Sequence, residues 1–173
     1  ITTDFREREK KASWIYEMVS LGFNYRLSDI QCALGISQLS RLTENVKRRR
    51  EIAQKYRQAF LNFPEVQCLK ELDEVNHAYH LFVIKLDLER LKEDRAAIFA
   101  ALRAEGIGVN VHYIPIHLHP FYREGYGTKP GDCPIAERAY DRLLSLPMFP
   151  PMSDGDIDDV ILAMRKVLDA YSR

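Results

Sequence analysis

Residues 21–39 read LGFNYRLSDIQCALGISQL, and both the fold and the function turn on how this stretch is read. Two aromatic side chains, Phe23 and Tyr25, alternate with two polar ones, Asn24 and Arg26. A helix start follows at once, with Ser28 set to cap the first turn and Asp29 set to complement its dipole. Ile30, Ala33, Leu34 and Leu39 then recur at helical spacing. An amide and a guanidinium just ahead of a helix N-terminus make a seat for a phosphate, because the first-turn N–H groups and the helix dipole attract the same charge. Arg26 offers a two-pronged fork and Asn24 one neutral donor. As residues alone, the stretch is served at least as well by Asn24 shaping a turn and Arg26 forming a surface ion pair.

Working outward, residues 1–13 are dominated by charge and predict a mobile or weakly helical arm. Residues 28–63 predict two helices, or one with a bend, along a stripe of Leu39, Leu42, Val46, Ala53, Tyr56 and Phe60. Thr43 is the expected second cap and Pro64 the stop. Residues 66–72 and 78–88 are strand candidates. Asp94 caps a helix carrying Ile98, Phe99 and Leu102, which Gly106 ends. Residues 107–114 alternate as a strand, with Val109, Val111 and Tyr113 opposite Asn110 and His112. A Gly- and Pro-rich loop over 116–131 leads to a helix opened by Asp132 and Pro134. The last helix starts at Ser153, with Asp156 three residues on and a stripe from Ile157 to Tyr171. Helices alternating with a few strands predict an α+β domain on a small, largely antiparallel sheet.

Composition removes several classes of function. Lys plus Arg equals Asp plus Glu at 25 each, so no global field recruits nucleic acid or an anionic membrane. The basic run at residues 47–50, KRRR, is expected to be the solvated face of a helix rather than a nucleic-acid patch. No apolar run approaches membrane-spanning length. Cys32, Cys68 and Cys133 are odd in number and far apart, a pattern that predicts a reducing cytoplasm rather than a disulfide framework. His112, His117 and His119 lack a recognised ligand spacing for zinc. The acidic residues at 154–159 lack the glycine and terminal glutamate of a calcium loop. No metal site is expected.

The segment GFNYRLSDIQCALGISQL at 22–39 resembles the G-x-N-x-R-[ML] stretch of the DegT/StrS family of nucleotide-sugar aminotransferases, which use pyridoxal phosphate (PLP). A second block, GIGVNVHYIPIHLHPFY at 106–122, is similar to the family's G-I-x-x-x-x-H-Y-x-P-[IL]-H-x-x-P-x-Y stretch, in the same order. Within the family the two blocks look most like the transaminases of pseudaminic acid biosynthesis. The resemblance implies the small C-terminal domain of the fold-type-I, aspartate-aminotransferase-like PLP transferases. It implies an arm and cofactor-contact loop over 1–27 and the small domain over 28–173. Ile1, where a complete chain would start with Met, fits a fragment of a longer polypeptide.

The resemblance also assigns roles. Asn24 and Arg26 are carried over to the cofactor phosphate of a neighbouring subunit, Arg26 alternatively to a structural ion pair. His112, Tyr113, His117 and Tyr122 are carried over to substrate contacts at the mouth of the site. No catalytic residue is expected in this chain, because the Schiff-base lysine and the carboxylate for the pyridine nitrogen belong to the family's large domain. The implied partners are a homodimer subunit, the large domain, a nucleotide-linked 4-keto sugar and glutamate. The competing reading is a non-catalytic interaction or regulatory domain that kept the scaffold. Trp14, Tyr16, Phe23 and Tyr25 are expected to meet the large domain, so the isolated chain should expose an apolar patch and self-associate. Sedimentation should show species that grow with concentration; a monomer at all concentrations would overturn this.

Overall fold

The computed structural model describes residues 25–173. Asn24, Phe23, Trp14, Tyr16 and the charged arm lie outside the described residues. The chain divides into two compact units, Ile1–Ser40 and Arg41–Arg173.

In the first unit, helix α1 spans Asp29–Leu39 and starts where the sequence predicts. Ser28 Oγ accepts from the Gln31 backbone N–H at 3.4 Å, and Gln31 Oε1 accepts from the Ser28 N–H at 2.9 Å. This reciprocal box satisfies two donors that the helix itself leaves open. No residue of α1 is buried, and Ile30, Leu34, Ile36 and Leu39 all face solvent.

The second unit is built on a three-stranded antiparallel sheet in the order β1 (Val66–Cys68), β2 (Phe82–Leu86), β3 (Leu143–Leu146). Period-two alternation sends Phe82, Ile84 and Leu86 of the central strand to one face, where all three are buried. Their register partners Leu144 and Leu146 of β3 are buried beside them. Against this face pack α2 (Leu42–Phe60), α3 (Arg95–Ala104) and α6 (Asp154–Tyr171). Each contributes one apolar stripe: Ile52, Ala53, Tyr56 and Phe60 from α2, Ile98 and Leu102 from α3, Ile157, Val160, Met164 and Leu168 from α6. Tyr56 lies against Phe82 with ring centroids 5.1 Å apart and donates its hydroxyl to the Pro147 carbonyl. Burial pushes its phenol pKa well up. Asp94 caps α3 through the Ala97 N–H, and Ser153 with Asp156 boxes the start of α6, as the sequence predicts.

Several expectations are corrected. Residues 107–114 do not form a strand. They make one bridge, Asn110 to Ser145, because the Val111 N–H turns to the Asn110 side chain at 2.8 Å instead of continuing a ladder. The loop expected over 116–131 contains a 3₁₀ turn, Ile116–Leu118, and a short helix α4, Pro120–Tyr126. Pro120 opens α4 and Gly127, at φ 68°, closes it, the usual division of labour between these residues. Helix α2 begins at Leu42 with Arg41 in the cap position and no side-chain cap bond, so Thr43 falls inside the first turn. Strand β3, between α5 (Pro134–Tyr140) and Pro147, had no alternating pattern to reveal it.

In the basic run Lys47 is exposed, but the three arginines are not a solvated face. Arg48 donates to the Met152 carbonyl at 2.7 Å and to Asp154 at 2.9 Å. Asp154 also takes Lys55, and these two bonds, Lys55 first, lower its carboxyl pKa. Arg49 donates one nitrogen to the carbonyls of Tyr79, His80 and Met148. Arg50 donates to His77. Arg49 thus ties the approach to β2 to the exit from β3. Arg49→Ala leaves three carbonyls without their shared donor and should cost about 2–3 kcal/mol in urea unfolding. Arg49→Lys, lacking the planar fork, should recover only part of it.

Candidate functional site

Of the two residues expected at a phosphate, Arg26 is described. It is exposed in the irregular lead-in to α1 and makes no hydrogen bond or ion pair with another described residue. One guanidinium and the N–H groups of Asp29 and Ile30, which the capping box leaves open, are a donor set that fits the phosphate of PLP. The reactive end of that cofactor needs a lysine, and among the described residues Lys55 and Lys166 are held in ion pairs with Asp154 and Glu105.

The second block is organised by hydrogen bonds. Asn110 exchanges backbone bonds with Ser145 of β3, at 3.1 and 2.8 Å. Its side-chain oxygen is occupied by the Val111 N–H, so its amide nitrogen faces His112 Nε2 at 3.3 Å. An amide N–H can only donate, so Nε2 accepts, and the ring proton sits on Nδ1. Nδ1–H then donates to the buried Ser145 hydroxyl at 2.9 Å. Both nitrogens of His112 are therefore engaged inside the protein. The neighbouring Tyr113 meets the His112 ring edge-on at 4.7 Å, yet the residue is 74% exposed.

His117 Nε2 is 2.7 Å from Glu137 Oε1, and its side chain is only 10% exposed. Glu137, in the first turn of α5, also accepts from the N–H groups of Gly131 and Cys133. The bond to His117, followed by the Gly131 backbone bond, holds its carboxyl below the ordinary carboxylate range. Thr128 closes the same loop by donating to the His117 carbonyl at 2.7 Å. Tyr122 stands on α4 between Phe121 and Tyr126, with centroids 5.3 and 5.9 Å away. The expected residues thus separate by role: Tyr113 and Tyr122 face outward, while His112 and His117 are bound internally. Sequence reasoning missed Glu137 and Ser145. Glu137 carries the signal of an acid in a helix's first turn, but its partner lies 20 residues away. Among the described residues no cluster of three His, Cys, Asp or Glu side chains could hold a metal ion. Nor is any described helix long and apolar enough to cross a membrane.

This sheet and helix order are those of the small domain of fold-type-I PLP transferases. The chain belongs to the DegT/DnrJ/EryC1/StrS aminotransferase family, which it matches over residues 4–165. It is 43% identical over 157 residues to the spore coat polysaccharide biosynthesis protein SpsC of Bacillus subtilis, covering 90% of this chain and 40% of SpsC. Among solved structures, PseC of Helicobacter pylori, an aminotransferase involved in pseudaminic acid biosynthesis, superposes with a TM-score of 0.78 at 27% identity, covering 99% of this chain and 43% of PseC. The PLP form of Spr1654 from Streptococcus pneumoniae superposes at 0.77 and 27% identity, covering 91% and 40%. The chain spans about two fifths of the length of the curated relatives it matches.

A carboxylate whose folded pKa is lowered stabilises the fold above its unfolded value, about 4.3 for Glu, and that stabilisation is lost as pH falls through the lowered value. Urea midpoints measured from about pH 5 down to about pH 3 should therefore fall more steeply for the wild type than for Glu137→Gln. Parallel curves would show that Glu137 is not the group responsible.

Proposed function

We propose that this chain is the small C-terminal domain of a PLP-dependent aminotransferase that moves an amino group from glutamate to a 4-keto sugar carried on a nucleotide. Family membership over residues 4–165 is the observation that carries the reading. The polysaccharide role in the name of SpsC and the amino-sugar role of PseC support the substrate class. The PLP form of Spr1654 supports the cofactor. A cytoplasmic location fits three thiols that form no disulfide among the described residues.

When bound, PLP supplies the electron sink through which an amine and a carbonyl are exchanged. The part assigned to this chain is binding and orientation. Asn24 and Arg26 hold the phosphate of the cofactor in a neighbouring subunit, which makes the working enzyme a homodimer. Fixing the phosphate this way positions the cofactor before any bond changes. Tyr113 and Tyr122 present ring faces to apolar parts of the nucleotide sugar and hydroxyls to its polar groups. His112 and His117 hold the segment that carries those two tyrosines. The lysine that bonds the cofactor, and the carboxylate at its pyridine nitrogen, lie in the large domain of the same polypeptide.

Two measurements test this. The purified 173-residue chain, given PLP, glutamate and a panel of nucleotide-linked 4-keto sugars, should release no 2-oxoglutarate, whereas the full-length polypeptide should. In the full-length protein, Arg26→Ala should weaken PLP binding about 10- to 100-fold, the loss of one charge-assisted contact. Turnover by the chain alone, or unchanged PLP affinity in Arg26→Ala, would overturn the assignment.

A further inference from the structure

Resting on the functional reading above, we propose that Glu137 is a positioning residue for the sugar substrate, fixing the segment over 113–126 on which Tyr113 and Tyr122 stand. None of residues 113–126 is buried, so the hydrophobic core does not hold them. Their order comes from hydrogen bonds, and the side-chain bonds converge on one place. Glu137 Oε1 accepts from His117 Nε2 at 2.7 Å, from the Gly131 N–H at 2.8 Å and from the Cys133 N–H at 3.3 Å. Oε2 takes a second share of the Gly131 N–H at 3.0 Å. Gly131 presents that N–H from a left-handed conformation, φ 94°, which glycine adopts without steric cost.

The other end of this attachment reaches the core. Glu137 stands on α5, whose last residue, Tyr140, gives its carbonyl to Arg95 of α3 and lies under the same guanidinium, 4.5 Å from it. Helix α5 then runs through Arg142 into β3. Contacts thus lead from Arg95 of α3 to Tyr140, and along α5 to Glu137 and His117, which sits in the chain between Tyr113 and Tyr122. Both carboxylate oxygens accept from protein donors, so Glu137 acts on substrate through the segment it holds and not by touching it. Its loss should therefore loosen the tyrosines while leaving the cofactor and the amino donor untouched.

Glu137→Gln keeps the shape but replaces one acceptor oxygen with a donor, so it cannot receive the same set of N–H groups. In the full-length protein it should raise KM for the nucleotide-linked sugar at least about tenfold, the scale of one lost charge-assisted bond. Its kcat and KM for glutamate should stay within about twofold, and Glu137→Asp should recover part of the loss. His117→Gln, which leaves the backbone bonds to Glu137 in place, should show the same split and add little to Glu137→Gln in the double variant. It decides the matter if Glu137→Gln fails to fold. Amide exchange over 117–131 in the isolated chain should speed up in Glu137→Gln while α6 stays protected. A fall in kcat at constant KM, or equal effects on both substrates, would overturn the proposal. So would unchanged exchange over 117–131, whatever the activity. A wild-type enzyme that turns over no nucleotide-linked sugar would instead overturn the functional reading and the substrate half of this proposal with it, leaving the exchange result to stand alone.

Discussion

Strand β3 has two edges, and the protein uses both. On one edge it pairs with β2 in a register that places Leu144 and Leu146 in the core. On the other, Ser145 exchanges backbone bonds with Asn110 and receives the His112 ring. A three-stranded sheet would ordinarily leave such an edge open to solvent and to other chains. Here the segment carrying the candidate site occupies it. The geometry of the site is consequently tied to the strand that packs the core, and anything that shifts β3 shifts His112.

Much of the scaffold was legible because it rests on local chemistry. The starts of α1, α3 and α6 each follow from a Ser or Asp whose side chain meets an N–H within its own first turn. Such bonds depend on residues three apart and on nothing else. The alternation in β2 was equally readable, since burial of one face imposes it. What could not be read were the places where distant partners compete with local preference. Residues 107–114 carry a strand pattern, but the Asn110 side chain takes the N–H that a ladder would need. The LLSL of β3 is continuously apolar and only four residues long, so neither helix nor strand period shows in it.

The basic run makes the same point about side chains. Treating residues 47–50 as one solvated face assumed that neighbours along the chain share a surface. On a helix they do not: consecutive residues are separated by about 100°, and those on one face are three or four apart. Arg48, Arg49 and Arg50 therefore fan out. One reaches the start of α6, one the flanks of β2 and β3, and one the loop before β2. Each guanidinium takes at least one connecting-segment carbonyl, and Arg49 takes three. With so little regular sheet, the connecting backbone must find donors elsewhere, and arginine's several N–H groups can serve more than one carbonyl at a time.

The candidate site combines the two kinds of legibility. Tyr113 and Tyr122 were nameable from the motif, and both are outward-facing. The histidines were nameable too, but their roles were not, because a histidine's chemistry is set by what meets each ring nitrogen. Asn110 and Ser145 take both nitrogens of His112, and Glu137 takes one of His117. A motif of alternating histidine and tyrosine therefore encodes a division of labour: the imidazoles are spent on the protein, and the phenols are left for a ligand. That division also explains why so exposed a segment has a defined shape. Its anchors lie at the two histidines, and the exposed tyrosines borrow their order from them.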